Sequence, residues 1–329
     1  MEKANKNSNT PLYLGIAISV LCLAIIFWLI EPAEILASLK TARYSYLLAA
    51  AAGVIGFLAL RAIRWRLLLD NDVPWLQAFH IQNIGYMLTM LMPFRLGDIA
   101  RAVLIGNVPP VTFSRGATTM IVERLFDLLF FVVLLPFTVA GIERLPENVR
   151  TAANLSGIVA LIGIIILIIA ANQRRLVNRL ATAVLERIPF LDTQRWLKQV
   201  EHILDGLNKL TNWRDGLQLI LWSIVLWIPI LSAYYIVMRS VALQVTPITA
   251  AFVTCVAAFS VAAPSSPGQI GVFHLAVTAA LTEVLGEPEE AAVSFAILYH
   301  TTQFLVFILM GLIGLFGAGT TFRNVLDMA

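Results

Sequence analysis

Charge is what this sequence has least of. Only 13% of its 329 residues are Asp, Glu, Lys or Arg, against about 25% in an average soluble protein. No charged stretch is long enough to enclose a soluble domain with its own core. Cysteine is nearly absent, with Cys22 and Cys255 both inside apolar runs. That placement reads as packed thiols rather than as a disulfide or a metal site. Catalytic signatures are missing too. There is no nucleophile triad, no Cys/His metal set, no Gly-rich nucleotide loop and no Asp-x-Asp pair, so the expectation is a protein that is not a self-contained enzyme and uses no cofactor and no metal.

What fills the space is apolar: 59% of the chain is hydrophobic, and mean hydropathy is +0.83. Such a composition belongs to a multi-pass membrane protein. Spans of about 20 apolar residues read at Leu12–Ile30, Tyr46–Ile63, Ala117–Gly141, Leu155–Ala171, Leu217–Met238 and Ala291–Gly317. The first is longer than a signal-peptide core and reads as an uncleaved helix. Two further regions are too long for one helix and carry a helix-breaking centre. Leu76–Ile105 is interrupted at Pro93 and Gly97, and Ile248–Leu285 at Pro264, Pro267 and Gly268.

Basic residues set the expected orientation. Of the 23 Lys and Arg, 18 are Arg. Arg61, Arg64 and Arg66 close the second span, Arg115 precedes the third, and 172–215 holds a run of Arg and Lys. The positive-inside rule makes these places cytoplasmic, in an inner (plasma) membrane with both termini cytoplasmic. The first broken region must then enter and leave from inside, and the second from outside. The expected fold is an all-α polytopic membrane protein in one integral membrane domain, 1–329. It has six full spans and two broken re-entrant hairpins, with an inverted repeat of halves 1–141 and 155–317. Matching residues at the breaks point the same way. Pro93, Gly97 and Ile99 align with Pro264, Gly268 and Ile270, and Ala78-Phe79 and Ala251-Phe252 precede them. Inverted repeats with broken segments are characteristic of transporters. Within 172–215, Leu176, Leu180, Val184, Trp196 and Val200 alternate with basic residues as in surface amphipathic helices.

Charged groups at the breaks are the candidate site. A half-helix starting near Gly97 or Asp98 presents unpaired N–H groups and the positive end of its dipole. With Arg95 and Arg101 beside it, this is chemistry for a phosphate. Asp98, three residues before Arg101, can hold that guanidinium. Ser265, Ser266, Gly268 and Gln269 supply neutral donors at the second break. Glu123 and Asp127 lie one turn apart, so they either clamp an arginine such as Arg64, Arg95 or Arg101, or share a proton. His274 and His300 are candidate proton carriers or hydrogen-bonded packing residues. Arg95 and Arg101 as plain interface charges remain the simpler alternative.

At these positions the chain resembles the flippase-like membrane domain of the lysylphosphatidylglycerol synthase family. The resemblance rests on Asn83, Pro93, Arg95, Gly97, Asp98 and Arg101, on Arg64-Trp65, on Val122, Glu123, Arg124 and Asp127, and on Pro267 to His274. In the last motif Gln269 stands where the family has Gly, and His274 where it has Glu. The resemblance covers nearly the whole chain and implies a membrane domain without the family's aminoacyl-transferase part, hence no lysyl transfer. It implies flipping of a phosphate-bearing lipid or lipid-linked intermediate, with Arg64, Arg95 and Arg101 on the phosphate and Glu123, Arg124 and Asp127 around it. The expected partners are an anionic lipid or lipid-linked phosphate and the bilayer, with no nucleic acid. A lipid-binding accessory subunit of envelope glycolipid synthesis is the alternative.

Overall fold

The structure is a computed structural model that describes residues 24, 32–92, 96–142, 145, 147–188, 192–206, 211–261 and 267–328. Every regular element among them is helical. In chain order they are α1 (Pro32–Thr41), α2 (Ser45–Leu68), α3 (Trp75–Leu91), α4 (Leu96–Gly106), α5 (Phe113–Ala140), α6 (Glu147–Asn172), α7 (Arg174–Leu185), α8 (Thr193–Gly206), α9 (Trp213–Val225), α10 (Ile228–Ser240), α11 (Pro247–Ser260), α12 (Val272–Ala279), α13 (Glu289–Gly317) and α14 (Phe322–Met328). A π-helical turn, Ala280–Val284, extends α12.

Among the described residues, three helical segments are long and apolar enough to cross a membrane: α2, the continuous stretch Trp213–Ser240 formed by α9 and α10, and α13. They coincide with three of the expected spans. The expected first span lies outside the described residues except for Ala24. The third falls inside α5, which carries Glu123, Arg124 and Asp127 and contains Pro136. Proline removes one helical donor and displaces the carbonyl four residues earlier. Here that carbonyl, of Val132, accepts from Ser156 Oγ of α6 at 3.5 Å. Side chains facing outward are largely apolar, including Leu48, Phe137, Leu305 and Phe316.

The first broken region is a hairpin. α3 has 17 residues and α4 has 11, so at 1.5 Å per residue they extend about 26 and 16 Å. Neither matches the roughly 30 Å hydrocarbon thickness. Gly85 of α3 faces Gly97 and Arg101 of α4, and Thr89 faces Gly97, an antiparallel pairing. A Cβ on Gly97 would collide with the Gly85 carbonyl oxygen and Thr89 Oγ1; one on Gly85 would collide with the Arg101 side chain. Close approach, rather than backbone freedom, is why both positions need glycine. Gly85→Ala is therefore expected to cost about 1–3 kcal/mol through overpacking. Gly163→Ala in α6, where the nearest atom is an ordinary 3.5 Å away, serves as control. Thermal unfolding of both variants in detergent checks this, with only the first showing a lowered midpoint.

The second broken region holds α11, begun by a Thr246–Thr249 capping box with Pro247 at the first turn, and α12 with its π turn. These have 14 and 13 residues. Between them Gly268 and Gln269 adopt left-handed conformations, φ 68° and 60°. A Cβ on Gly268 would sit 3.4 Å from the Met90 carbonyl oxygen, so the two breaks approach each other directly. α13 packs along α3, and α10 along α2. Helices α7 and α8 occupy the basic segment after α6 and pack on each other; α8 also touches α5.

Candidate functional site

Helical spacing builds an ion cluster from three helices. On α2, Arg61, Arg64 and Trp65 recur at three and four residues and share a face; on α5, Glu123 and Asp127 do the same. Asp127 receives Arg61 Nη2 at 2.7 Å and Arg64 Nη2 at 2.8 Å. Glu123 receives Arg101 Nη2 of α4 at 2.9 Å, with Arg64 Nη2 at 3.6 Å and Arg61 Nε at 3.8 Å. Arg61, Arg64, Arg101 and Glu123 are at most 2% exposed. Trp65 supports the cluster from below: Arg101 lies over its ring at 4.3 Å, and its indole N–H donates to Thr119 Oγ1 at 2.9 Å. Arg64 also donates to Ser223 Oγ at 3.4 Å.

Isolated buried charge is prohibitively costly, and paired charge survives only with good geometry. Here each carboxylate is held by more than one guanidinium, so of the two sequence-level alternatives for Glu123 and Asp127 the cation clamp is the one found. The clamp includes Arg61, which sequence reading took as an end-of-span charge. One signal was available: Arg61 falls within the expected span Tyr46–Ile63, not beyond it. Arg61 and Arg64 are thus interior groups rather than surface markers. Arg115 is likewise paired, to Asp72 at 2.7 Å and to Asp70.

Asp98 does not hold Arg101. Arg101 runs past Gly85 and over Trp65 into the interior, whereas Asp98 stays at the rim and accepts from Arg124 Nη2 at 3.0 and 3.1 Å. The first turn of α4 thus has its own carboxylate, and Gly97 is packed against α3. Among the described residues the ensemble has four guanidinium groups (Arg61, Arg64, Arg101, Arg124) and three carboxylates (Asp98, Glu123, Asp127). One positive charge is in excess.

That excess faces a cavity of about 380 Å³. Among the described residues, Arg61, Arg124 and Asp127 are its charged lining; the others are uncharged and rich in aromatic rings, including Phe57, Tyr86, Phe131, Trp227, Tyr299 and Phe307. Arg61 lies over the rings of Phe57 and Tyr86 at 5.6 and 5.8 Å. Elements from both broken regions contribute: Tyr86, Thr89 and Met90 from the first, Gly268 and Gln269 from the second. His300 and Gln303 of α13 complete the wall.

Of the residues singled out from sequence, Arg124, Asp127, Gly268, Gln269 and His300 line this cavity. Arg64, Arg101 and Glu123 lie behind it as buried ion pairs, and Gly97 and Asp98 belong to the α3–α4 hairpin. His274 stacks on His300 with ring centroids 4.8 Å apart, and its Nδ1 accepts from Gly271 N–H at 3.4 Å. Arg95, Ser265 and Ser266 lie outside the described residues. The aromatic lining and Arg61 are what sequence reading missed. Those side chains are scattered from position 57 to 307 and each looks like ordinary span content.

Comparison with known proteins now fits this geometry. The family described as the lysylphosphatidylglycerol synthase TM region matches residues 12–311. The chain belongs to this family. A curated relative, glycosyltransferase AglD of Haloferax volcanii, is 23% identical over 334 aligned residues, covering 90% of this chain. That alignment takes in 53% of AglD, so the chain spans about half the length of the relative it matches. The membership establishes a membrane protein with a lipid-related role. The relative also corrects one expectation. Absence of catalytic motifs suggested a protein that is not an enzyme, but a homologue named as a glycosyltransferase points toward enzyme chemistry, and the exclusion does not hold.

Proposed function

We propose that this chain binds a phosphate-bearing lipid, or a lipid-linked intermediate, in the aromatic cavity and carries it between membrane leaflets. The observation that supports this reading best is the cavity's charge: among the described residues, Arg61 and Arg124 reach it, Asp127 opposes them, and the remaining lining is uncharged. A guanidinium fork is well suited to phosphate. The site would be fixed from behind by the pairs of Arg64 and Arg101 with Asp127 and Glu123, which hold Arg61 in place.

In this reading the chain has six spans and an inverted repeat of 1–141 and 155–317, with 172–215 a cytoplasmic amphipathic linker, in an inner (plasma) membrane with both termini cytoplasmic. The two short-helix regions would be re-entrant hairpins meeting near mid-depth, where Gly268 approaches Met90. No nucleotide-binding motif is present, so movement would be facilitated or driven by an ion gradient.

A second reading, favoured by the AglD name, is that the chain serves glycosyl transfer to a membrane lipid, holding the lipid without moving it. Proteoliposomes carrying a headgroup-labelled anionic lipid separate the two. Protein-dependent loss of leaflet asymmetry, absent for a zwitterionic lipid of the same chains, is the expected result. Saturable binding without leaflet exchange would instead support the second reading.

A further inference from the structure

We infer that the aromatic cavity continues into an apolar groove along α11, and that one hydrocarbon chain of the bound lipid lies in that groove. This rests on the phosphate reading above and adds where the lipid tail goes. Three observations carry it.

The first is continuity. A second cavity, of about 420 Å³, shares Phe259 of α11 with the first, so one half-buried side chain walls both. α11 packs against both α5 and α12. Each of these three helices lines both cavities.

The second is direction. Asp127, Phe131, Leu135 and Val139 follow one another at four-residue steps and so share one face of α5. The first two line the aromatic cavity and the last two the groove. α12 does the same, with Phe273 in the cavity and Ala276 and Ala280 in the groove. From Phe131 to Val139 the path runs about 12 Å, at 1.5 Å per residue.

The third is the change of chemistry along that path. Arg61, Arg124 and Asp127 stand in the cavity. Among the described residues the groove is lined by apolar side chains together with the exposed Glu283. Ala153, Ala276, Ala279 and Ala280 are part of that lining, and their short side chains leave room for a chain of methylenes. A passage charged at one end and apolar at the other has the polarity of an amphiphile. A small water-soluble anion would use the cavity and leave the groove.

Photolabelling in nanodiscs of zwitterionic lipid tests the route. The probes are a phosphatidic acid with a diazirine midway along one chain, a phosphatidylcholine with the same labelled chain, and a phosphatidic acid with the diazirine at the glycerol end. Labelled residues are mapped by peptide mass spectrometry. At limiting probe, the tail-labelled phosphatidic acid is expected to mark the groove about tenfold more than the phosphatidylcholine does, the margin that a charge-assisted hydrogen bond to the phosphate gives. Arg124→Gln should lower this groove label in step with the glycerol-end label at Leu128 and Phe131. Equal groove labelling by the two tail probes means that bulk bilayer chains fill the groove, and overturns the proposal. So does groove labelling that holds steady while cavity labelling falls. A glycerol-end probe that leaves the cavity unmarked removes the phosphate reading, and the route with it. Glycerol-end label in the cavity with tail label only on outer faces, such as Leu305 and Phe316, overturns the route alone.

Discussion

Glu123→Gln is expected to leave the protein unable to hold its native packing. The variant removes the carboxylate that receives Arg101 at 2.9 Å and faces Arg64 and Arg61 within 4 Å. Three buried guanidinium groups would then share Asp127 alone. Breaking one partner out of a buried ion pair costs about 3–5 kcal/mol, because the remaining charge stays buried and uncompensated. That is a large fraction of a typical folding free energy. Thermal unfolding in detergent should show a much lower midpoint or no folded protein. A paired substitution isolates the cause. Arg101→Met in the Glu123→Gln background removes the stranded cation and should recover part of the loss. Arg101→Ala alone should also destabilise strongly, since Arg101 is buried over Trp65 and reaches Glu123 rather than the cavity.

The second large effect is on binding, at Arg124. Its side chain is 43% exposed and its partner Asp98 25% exposed, so their pair is worth only about 0–1 kcal/mol. Arg124→Gln should fold normally. A charge-assisted hydrogen bond to an anion contributes about 1.5–3 kcal/mol, so the variant is expected to bind an anionic lipid about 10- to 100-fold more weakly. Asp98→Asn gives the opposite sign: it releases Arg124 from its carboxylate and should keep or strengthen binding. If Arg124→Gln binds as wild type does and Asp98→Asn has no effect, Arg124 is only a rim charge. Measuring both affinities beside the unfolding midpoints separates binding from stability.

How far the sequence reaches into this structure can be argued residue by residue. In the sequence, Pro93 marks one interrupted apolar region and Pro267 with Gly268 the other, because proline stops a helix wherever it falls and Gly268 takes the left-handed backbone. Glu123 and Asp127 share a face by helical spacing alone, and burial of two carboxylates demands a cation. Which cation was not legible: spacing fixes the face of one helix and says nothing of its neighbour. Arg61 and Arg64 meet α5 only because α2 packs there, and Asp98 meets Arg124 rather than Arg101 because Arg101 is drawn over Trp65 past Gly85. Gly97 looked like the open start of a half-helix and serves instead as the point where α3 and α4 touch. The cavity itself was hidden, since Phe57, Tyr86, Trp227 and Phe307 are indistinguishable in sequence from residues that face lipid.

The claim on which the rest depends is that a lipid phosphate sits against Arg61 and Arg124. A structure of the protein in nanodiscs with a short-chain phosphate lipid tests it directly. Phosphate density is expected inside the aromatic cavity, its oxygens within about 3 Å of the Arg61 or Arg124 guanidinium nitrogens. Lipid phosphate found only on the outer faces of the helices, with the cavity holding none at saturating lipid, would contradict it.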